Sequence, residues 1–202
     1  MRRAFIAAAL SAAALAGAAH AQRPTLPDRL DAAARATLER TIDTARVAGL
    51  PVGPLYDKVS EGVLKGAADD QIVRAVRSLA RSLGDARGAL GASADPSVLT
   101  AAASALGTGV TPAELRRLAH PSSGDPNGST LATALVTLVD LVTKRVPVAM
   151  ATSSIQSLLD RRATDQQFTS LRADVDRDIL AGRAPEASVV DRVRARTGPP
   201  PP

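Results

Sequence analysis

The sequence predicts an all-α protein, a small array of stacked helical hairpins, and three observations support this fold class. From Pro27 onward, apolar residues recur at the three- and four-residue spacing of a helix face. Glycine and proline separate the segments, and no stretch alternates apolar with polar residues for long enough to form a strand. Because one hairpin cannot bury its apolar face alone, we expect successive hairpins to stack on one another.

Residues 1–21, ahead of the array, have the pattern of a secretory signal peptide. Arg2 and Arg3 provide a positive start, an Ala/Leu-rich run follows, and residues 19–21 form a small-x-small cleavage site. The apolar run is shorter than the roughly 20 residues that a membrane-spanning helix needs. We therefore expect cleavage after Ala21 and export to the periplasm or the exterior. The arginine pair also resembles part of a twin-arginine signal, so the general secretory and twin-arginine routes both stay open.

Two amphipathic helices begin the N-terminal half, residues 22–119. The first is predicted over residues 28–48 and the second over residues 52–65, and a glycine follows each of them. On the second helix, Glu61 and Lys65 are one turn apart and can form an ion pair. The predicted inward faces consist of Leu30, Ala34, Leu38, Ile42 and Ala45 on the first helix, and of Leu55, Val59 and Val63 on the second.

The third helix starts near Asp69 and has a stripe of arginines on its outward face. This stripe consists of Arg74, Arg77 and Arg81. The predicted inward residues are Ile72, Val76, Leu79 and Leu83. Such a stripe is usually a solvated face, and the alternative is contact with an anionic polymer or lipid headgroup. The end of the helix is expected to fray through three glycines, Gly84, Gly88 and Gly91.

Two shorter helices complete the N-terminal half. Asp95 fits an N-cap and Pro96 fits the first turn of a helix that ends around residues 107–109. Thr111 and Glu114 have the spacing of a capping box, in which each side chain accepts a hydrogen bond from the backbone amide of the other residue. The sequence therefore predicts a fifth helix directly after Thr111.

The loop at residues 120–129, HPSSGDPNGS, separates the first half from the C-terminal half, residues 130–197. The segment 131–142 is apolar nearly all round, which predicts a helix surrounded by other helices. The helices that follow are predicted over residues 147–160, 165–181 and 185–196. A proline tail at residues 198–202 is expected to be disordered or to form polyproline II.

The two halves resemble each other weakly at an offset of 96 residues. The matching positions are Pro51 and Pro147, Val52 and Val148, Ala67 and Ala163, Asp69 and Asp165, and Gln71 and Gln167. This pattern predicts a duplicated helical hairpin, with a poorer third copy over residues 94–118. Convergence between Ala-rich helices is the alternative.

Charge and composition exclude several classes of function. Removing residues 1–21 takes away Arg2 and Arg3 and lowers the formal net charge from +5 to +3. This small excess argues against nucleic acid as a partner, because nucleic-acid-binding proteins usually show a concentrated basic face. The chain has no cysteine, so it can form neither disulfides nor a lipoprotein anchor. Tyr56 and Phe168 are the only aromatic residues beyond residue 21, which leaves little to stack on sugars, bases or flavins.

The sequence contains no convincing catalytic or metal-binding pattern. His120 is the only histidine beyond residue 21, and Ser122 and Ser123 lie near it, but a histidine at the end of a helix is the more common explanation. The run at residues 125–129 resembles the start of a calcium loop, yet the glycine and glutamate needed further along are missing. We therefore predict no catalytic, cofactor-binding or metal-ligating residue and no cofactor.

Acidic residues in the C-terminal half are expected to be structural. Three of them lie close together in the sequence, Asp174, Asp176 and Asp178. The first and third are one helical turn apart and the second points elsewhere, so we expect a solvated surface whose charge is offset by Arg172 and Arg177. Asp140 lies in the most apolar helix, and there we expect a structural ion pair with an arginine.

These observations favour an exported, non-catalytic helical protein that binds an unidentified protein or peptide of the cell envelope. The first alternative is weak binding to an anionic surface through the arginine stripe. The second and less favoured alternative is an enzyme with an unfamiliar site near His120, since a helical fold by itself decides no function.

Overall fold

Nine α-helices make up the described part of the protein, residues 25–119 and 128–198 of a computed structural model, and these residues contain no β-strand. The predicted all-α class is therefore confirmed. Apart from the third, the helices begin and end within a few residues of their predicted bounds. In chain order they are α1 (Ala32–Val47), α2 (Gly53–Leu64), α3 (Asp69–Leu90), α4 (Pro96–Gly107), α5 (Pro112–Leu118), α6 (Ser129–Thr143), α7 (Val148–Asp160), α8 (Asp165–Leu180) and α9 (Pro185–Thr197).

Polar side chains accept hydrogen bonds from free backbone amides at the start of four helices, at Asp31, Asp95, Thr111 and Thr164. The predicted capping box of α5 is confirmed. Thr111 N donates to Glu114 Oε2 at 2.8 Å, and Glu114 N donates to Thr111 Oγ1 at 3.2 Å. A second box begins α8, where Gln167 takes the place of the glutamate. Caps of this kind stabilise a helix by about 1 kcal/mol each.

Six turns between consecutive helices share one backbone geometry. A residue with positive φ follows the first helix, and the next residue donates its N–H to the carbonyl five positions earlier, which is a Schellman-type ending. These six hydrogen bonds measure 2.9–3.2 Å. The positive-φ residues are Gly49, Gly66, Gly109, Arg145, Arg162 and Gly182. The shared turn reverses the chain within a few residues and holds consecutive helices close together.

We expect Arg162→Gly to raise the free energy of unfolding by up to about 1 kcal/mol. Arg162 has a φ of 56°, a left-handed conformation that costs an L-residue roughly 1–2 kcal/mol and glycine very little. The reverse change at the corresponding turn, Gly66→Arg, should lower the free energy of unfolding by about 1 kcal/mol, because a Cβ there meets no atom and only the conformation matters. Urea unfolding measures both, and shifts of the same sign would contradict the explanation.

The predicted fraying of α3 is wrong, because this helix continues unbroken to Leu90. Gly84 and Gly88 lie on its exposed side, whereas Leu83 and Ala86 are fully buried. Glycine costs a helix about 1 kcal/mol per residue, and burial of an apolar face against other helices outweighs that cost.

α1 and α3 run parallel to each other. α2 connects them in the chain and runs in the opposite direction. At the beginning of both helices, Asp31 N donates to Asp69 Oδ2 at 2.8 Å. Near the end of both helices, Arg87 Nη1 donates to the carbonyl of Ala48. This side-by-side arrangement brings the polar face of α1 next to α3.

The helices pack mainly against helices one or two positions away in the chain. The most extensive contacts join α3 with α4 and α4 with α6. The two halves contact each other through the α4–α6 and α5–α7 pairs. Among the described residues, Phe168 is the only aromatic side chain in an otherwise aliphatic buried core.

The predicted inward faces of the first three helices are confirmed. Every residue of these faces is buried except Val63 and Leu79, which are half-buried against the core. None of the helices in the described ranges has both the length and the apolar character needed to cross a membrane.

Several predictions fall outside the described residues. They concern the signal peptide at residues 1–21, the loop at residues 120–129 apart from its last two positions, and the tail beyond residue 198. Cleavage after Ala21 and the proposed domain limits therefore stay predictions.

Candidate functional site: a basic groove between α1 and α3

An open groove of about 380 Å³ lies between the parallel helices α1 and α3, and we refer to it as the α1–α3 groove. Three arginines line it, Arg40 from α1 and Arg77 and Arg81 from α3. Its other lining residues are Thr37, Thr41, Thr44, Ala45, Ala48, Leu50 and Ala80. The volume lies within the range of about 300–1,000 Å³ that is usual for ligand sites.

The α1–α3 groove carries positive charge that no described acidic side chain in its lining offsets. Arg77 and Arg81 make no hydrogen bond or ion pair with any described residue. Arg40 Nη2 donates to Thr37 Oγ1 at 3.2 Å. The described lining contains no acidic side chain. Clefts lined by one sign of charge raise the local concentration of oppositely charged groups.

Two of the three threonines of the groove donate their hydroxyl protons within α1, and the guanidinium groups are the charged donors of the groove. Thr41 Oγ1 donates to the carbonyl of Thr37 at 2.9 Å, and Thr44 Oγ1 donates to the carbonyl of Arg40 at 2.8 Å. The hydroxyl protons of Thr41 and Thr44 are therefore used within α1, whereas Thr37 Oγ1 accepts a hydrogen bond from Arg40. A group rich in acceptors, such as a carboxylate or phosphate, fits the remaining N–H donors of the arginines.

The predicted arginine stripe of α3 divides into two parts. Arg74, Arg77 and Arg81 are all exposed, as predicted. Arg74 Nη1, however, pairs with Asp70 one turn earlier, and Arg74 does not line the groove. The candidate site therefore uses the last two arginines of the stripe.

Sequence analysis did not identify Arg40 as part of a site. The available signal was the spacing of Thr37, Thr41 and Thr44, which places a polar stripe along the side of α1 that also carries Arg40. The parallel pairing of α1 with α3 could not be predicted from this spacing, because it depends on how α2 and the two turns orient the helices.

α6 and α8 form a second parallel pair with a different interface. Ser129 Oγ donates to Asp165 Oδ2 at 3.5 Å where both helices begin. Further along, Lys144 Nζ bonds Asp140 and lies 2.7 Å from Asp176 Oδ1. Ion pairs within the chain therefore occupy the side of this helix pair.

Asp140 takes part in the structural ion pairing that was predicted for it. Its Oδ2 atom lies 3.3 Å from Arg172 Nε and also contacts Lys144 Nζ. Burial disfavours the charge of Lys144, but hydrogen bonds to Asp140 and Asp176 outweigh this effect, and the pKa of Lys144 is raised.

Asp178 is buried, so the predicted solvated surface is wrong at this position. Ser188 Oγ donates to its Oδ2 atom at 2.5 Å, and Arg192 donates from Nε to Oδ2 at 2.8 Å and from Nη2 to Oδ1 at 2.7 Å. Hydrogen bonds from Arg192, and next from Ser188, hold the pKa of the Asp178 carboxyl well below its usual range. The prediction failed because α9 packs on α8 and brings these donors to Asp178.

The other two aspartates of this group also have partners. Asp174 is half-buried and accepts hydrogen bonds from Arg196 Nη2 at 2.7 Å and Arg177 Nη1 at 2.8 Å. The hydrogen bond from Arg196 is the main reason that the pKa of Asp174 is lowered. Asp176 is exposed, as predicted, and pairs with Lys144. All three aspartates thus serve as structural ion-pair partners.

A second groove, the α5–α7 groove, has a volume of about 600 Å³ and a more neutral lining. Ser153 and Ser157 line it, and their hydroxyls donate to carbonyls of their own helix. Thr152 Oγ1 is buried here and has no hydrogen-bond partner among the residues that the structure describes. The other lining residues are Glu114, Arg117, Ala149, Gln156 and Asp160.

The candidates considered for catalysis or calcium binding are not described by the structure. His120, Ser122, Ser123 and Asp125 all fall within residues 120–127. In the part of the chain that is described, no group of three or more His, Asp or Glu side chains is placed to hold a metal ion. No protein-family model, curated protein or solved structure matches this chain.

Proposed function

We propose that the protein is an exported, non-catalytic helical module that binds a segment of another protein in the cell envelope. The observation that supports this proposal best is the pair of open grooves between helices, each with unused hydrogen-bonding groups. The α1–α3 groove has the free donors of Arg77 and Arg81, and the α5–α7 groove has Thr152 Oγ1. A partner segment that enters such a groove satisfies these groups and covers the apolar residues beside them.

The proposal treats the molecule as an array of stacked helical hairpins. Contacts between helices one or two positions apart are typical of proteins built from repeated helical units. In such arrays, the grooves between successive helices form an extended surface that binds partner chains. Sequestration of a segment by hydrogen bonding requires no catalytic group.

We further propose that α1–α3 and α6–α8 are two copies of one unit, offset by 96 residues. The positive-φ residues Gly49 and Gly66 correspond to Arg145 and Arg162 at this offset. Asp69 begins α3 and Asp165 begins α8, and each accepts a hydrogen bond from the start of the parallel helix. Convergence of Ala-rich helices does not require these turns and contacts to agree.

A second candidate function is binding to an anionic surface, and Arg77 and Arg81, which have no partner among the described residues, favour it. Exposed basic residues add roughly 1 kcal/mol each near a charged membrane surface. Asp85, however, lies one turn after Arg81 on the same side of α3, so a flat anionic surface over these arginines also meets a carboxylate. A segment that enters the groove avoids this repulsion.

Photo-crosslinking in intact cells tests the proposed function. A photoreactive amino acid replaces Thr44 in the α1–α3 groove, Ser153 in the α5–α7 groove, or Ala195, an exposed control on α9 that lines neither groove. We expect a product with one partner protein from at least one groove position and none from the control. Products that contain only this protein, or equal yields from all three positions, would argue against a groove-binding module.

A further inference from the structure

The α1–α3 groove and its counterpart in the second half differ at several charged positions, and two of these differences concern carboxylates. At the offset of 96 residues, Thr44 corresponds to Asp140 and Ala80 to Asp176. Thr44 and Ala80 line the groove between α1 and α3. The second helix pair therefore has two carboxylates at positions where the first pair has none.

The second helix pair shows how those carboxylates are used. Asp140 and Asp176 both bind Lys144, and Asp140 also lies beside Arg172. Asp140 and Lys144 are only about one-fifth exposed, at 23% and 20% of their side chains. Between α6 and α8, carboxylates from the chain itself thus bind the ammonium group of Lys144, whereas Arg172 Nε has no hydrogen-bond partner among the described residues.

The described lining of the α1–α3 groove has basic side chains but no carboxylate. Arg77 and Arg81 make no side-chain hydrogen bond or ion pair with a described residue. Arg40, which lines the same groove, donates a hydrogen bond to the hydroxyl of Thr37. Arginine presents a planar fork of N–H donors that matches the two oxygens of a carboxylate. The groove therefore has the donors for a carboxylate that no described residue of its lining provides.

We infer that the α1–α3 groove binds carboxylate side chains of an acidic segment in a partner protein, at the place where Asp140 and Asp176 lie in the second helix pair. This inference rests on the proposed function as a protein-binding module. It adds the location of the binding site and the chemistry of the partner.

The lining of the groove favours an acidic peptide segment over a lipid or polymer surface. Ala45, Ala48 and Leu50 provide an apolar wall beside the arginines, which suits the methylene groups of aspartate or glutamate side chains. The groove is a cleft between two helices, so side chains can enter it, whereas a flat surface contacts only its rim. Asp85, which is exposed one turn after Arg81 on α3, disfavours a flat anionic surface.

The test uses a fluorescent hexaglutamate peptide and measures its binding to the purified protein by fluorescence anisotropy. A hexaglutamine peptide, inorganic phosphate and vesicles containing phosphatidylglycerol serve as comparison probes. We expect hexaglutamate to bind and the other three to bind at least about tenfold more weakly. Binding should weaken as salt is raised, because charge pairs at an exposed groove are screened.

Two double variants distinguish the effect of the groove arginines on binding from the effect of the protein's total charge. Arg77→Gln with Arg81→Gln should weaken hexaglutamate binding at least about tenfold, since two charge-assisted contacts are lost. Arg116→Gln with Arg194→Gln is the matched control, because it removes the same charge from two exposed arginines outside the groove. Equal effects from the two double variants would overturn the inference.

A single substitution in α1 can introduce the carboxylate that Asp140 provides in the second helix pair. Thr44→Asp places a carboxylate at the position of Asp140, so it should pair with the groove arginines and weaken hexaglutamate binding about tenfold while the fold is kept. Thr44→Asn, which has the same size but no charge, should have little effect on binding. Equal loss in both variants would mean that shape rather than charge is responsible, and would contradict the inference.

The outcomes distinguish this inference from the proposed function. If phosphate or vesicles bind as well as hexaglutamate, or if no anion binds, the acidic-segment inference is wrong. A partner crosslinked from Ser153 would still support the proposed function in that case. If no partner is crosslinked from either groove, the proposed function itself fails.

Discussion

Phe168→Ala is expected to lower the free energy of unfolding by about 3–5 kcal/mol. Phe168 is completely buried in α8, and it is the largest of the fully buried side chains in the described residues. Its removal takes away apolar contacts and leaves a cavity that aliphatic neighbours fill only in part. Because domains are stable by only about 5–15 kcal/mol, this single change should remove a large fraction of the stability.

Urea denaturation followed by circular dichroism measures the effect of Phe168→Ala. Leu180→Ala is the matched control, because Leu180 belongs to the same helix but is 88% exposed. The control should change the free energy of unfolding by no more than about 0.5 kcal/mol. Similar losses in the two variants would contradict the position of Phe168 in the core.

Asp178→Asn is expected to lower the melting temperature strongly. It is also expected to make the melting temperature less dependent on pH in the acid range. The carboxylate of Asp178 is buried and accepts hydrogen bonds from Ser188 Oγ and from Nε and Nη2 of Arg192. Asparagine keeps the size but removes the charge and one acceptor oxygen. Arg192 then keeps its charge beside a neutral amide, which is a costly state for a pair away from water.

The pH dependence of this variant follows from the lowered pKa of Asp178 in the folded protein. A carboxyl with a depressed folded pKa contributes stability above its unfolded pKa, about 4, and loses that contribution as pH falls toward the folded value. The difference in melting temperature between the wild type and Asp178→Asn should therefore be largest near pH 7 and shrink below about pH 4.

Thermal unfolding at pH 3 and pH 7 provides this measurement. Asp57→Asn is the control, because Asp57 is an exposed aspartate of α2 that does not belong to the ion pairs between helices in the C-terminal half. It should leave the melting temperature nearly unchanged at both pH values. A constant difference between the wild type and Asp178→Asn at the two pH values would show that the buried charge pair does not stabilise the fold.

Predictions were correct where the interacting residues lie within one helical turn, and the prediction for Asp178 was wrong because its partners lie on another helix. The capping box at Thr111 and Glu114 was predictable because both partners lie within one helical turn. The ion pair between Glu61 and Lys65 was predictable for the same reason and is confirmed. The burial of Asp178 was not predictable, because its partners come from another helix.

The candidate site shows the same division. Sequence analysis identified the arginine stripe of α3, since spacing along one helix decides which side chains share a face. It did not pair Arg77 and Arg81 with Arg40, and it did not identify Arg74 as the member outside the groove. A residue on one helix becomes part of a site with a residue on another only through the packing between the helices.

The sequence by itself determined the helical class, the positions of most helix ends, and the faces that are buried. These properties depend on apolar spacing, glycine and proline turns and side-chain caps, all of which act within a few residues. The tertiary structure alone decided that α1 runs parallel to α3, that α3 stays helical through its glycines, and that Arg77 and Arg81 have no carboxylate partner among the described residues. Those outcomes depend on contacts between residues far apart in the chain, and burial of apolar surface on packing outweighs local preference.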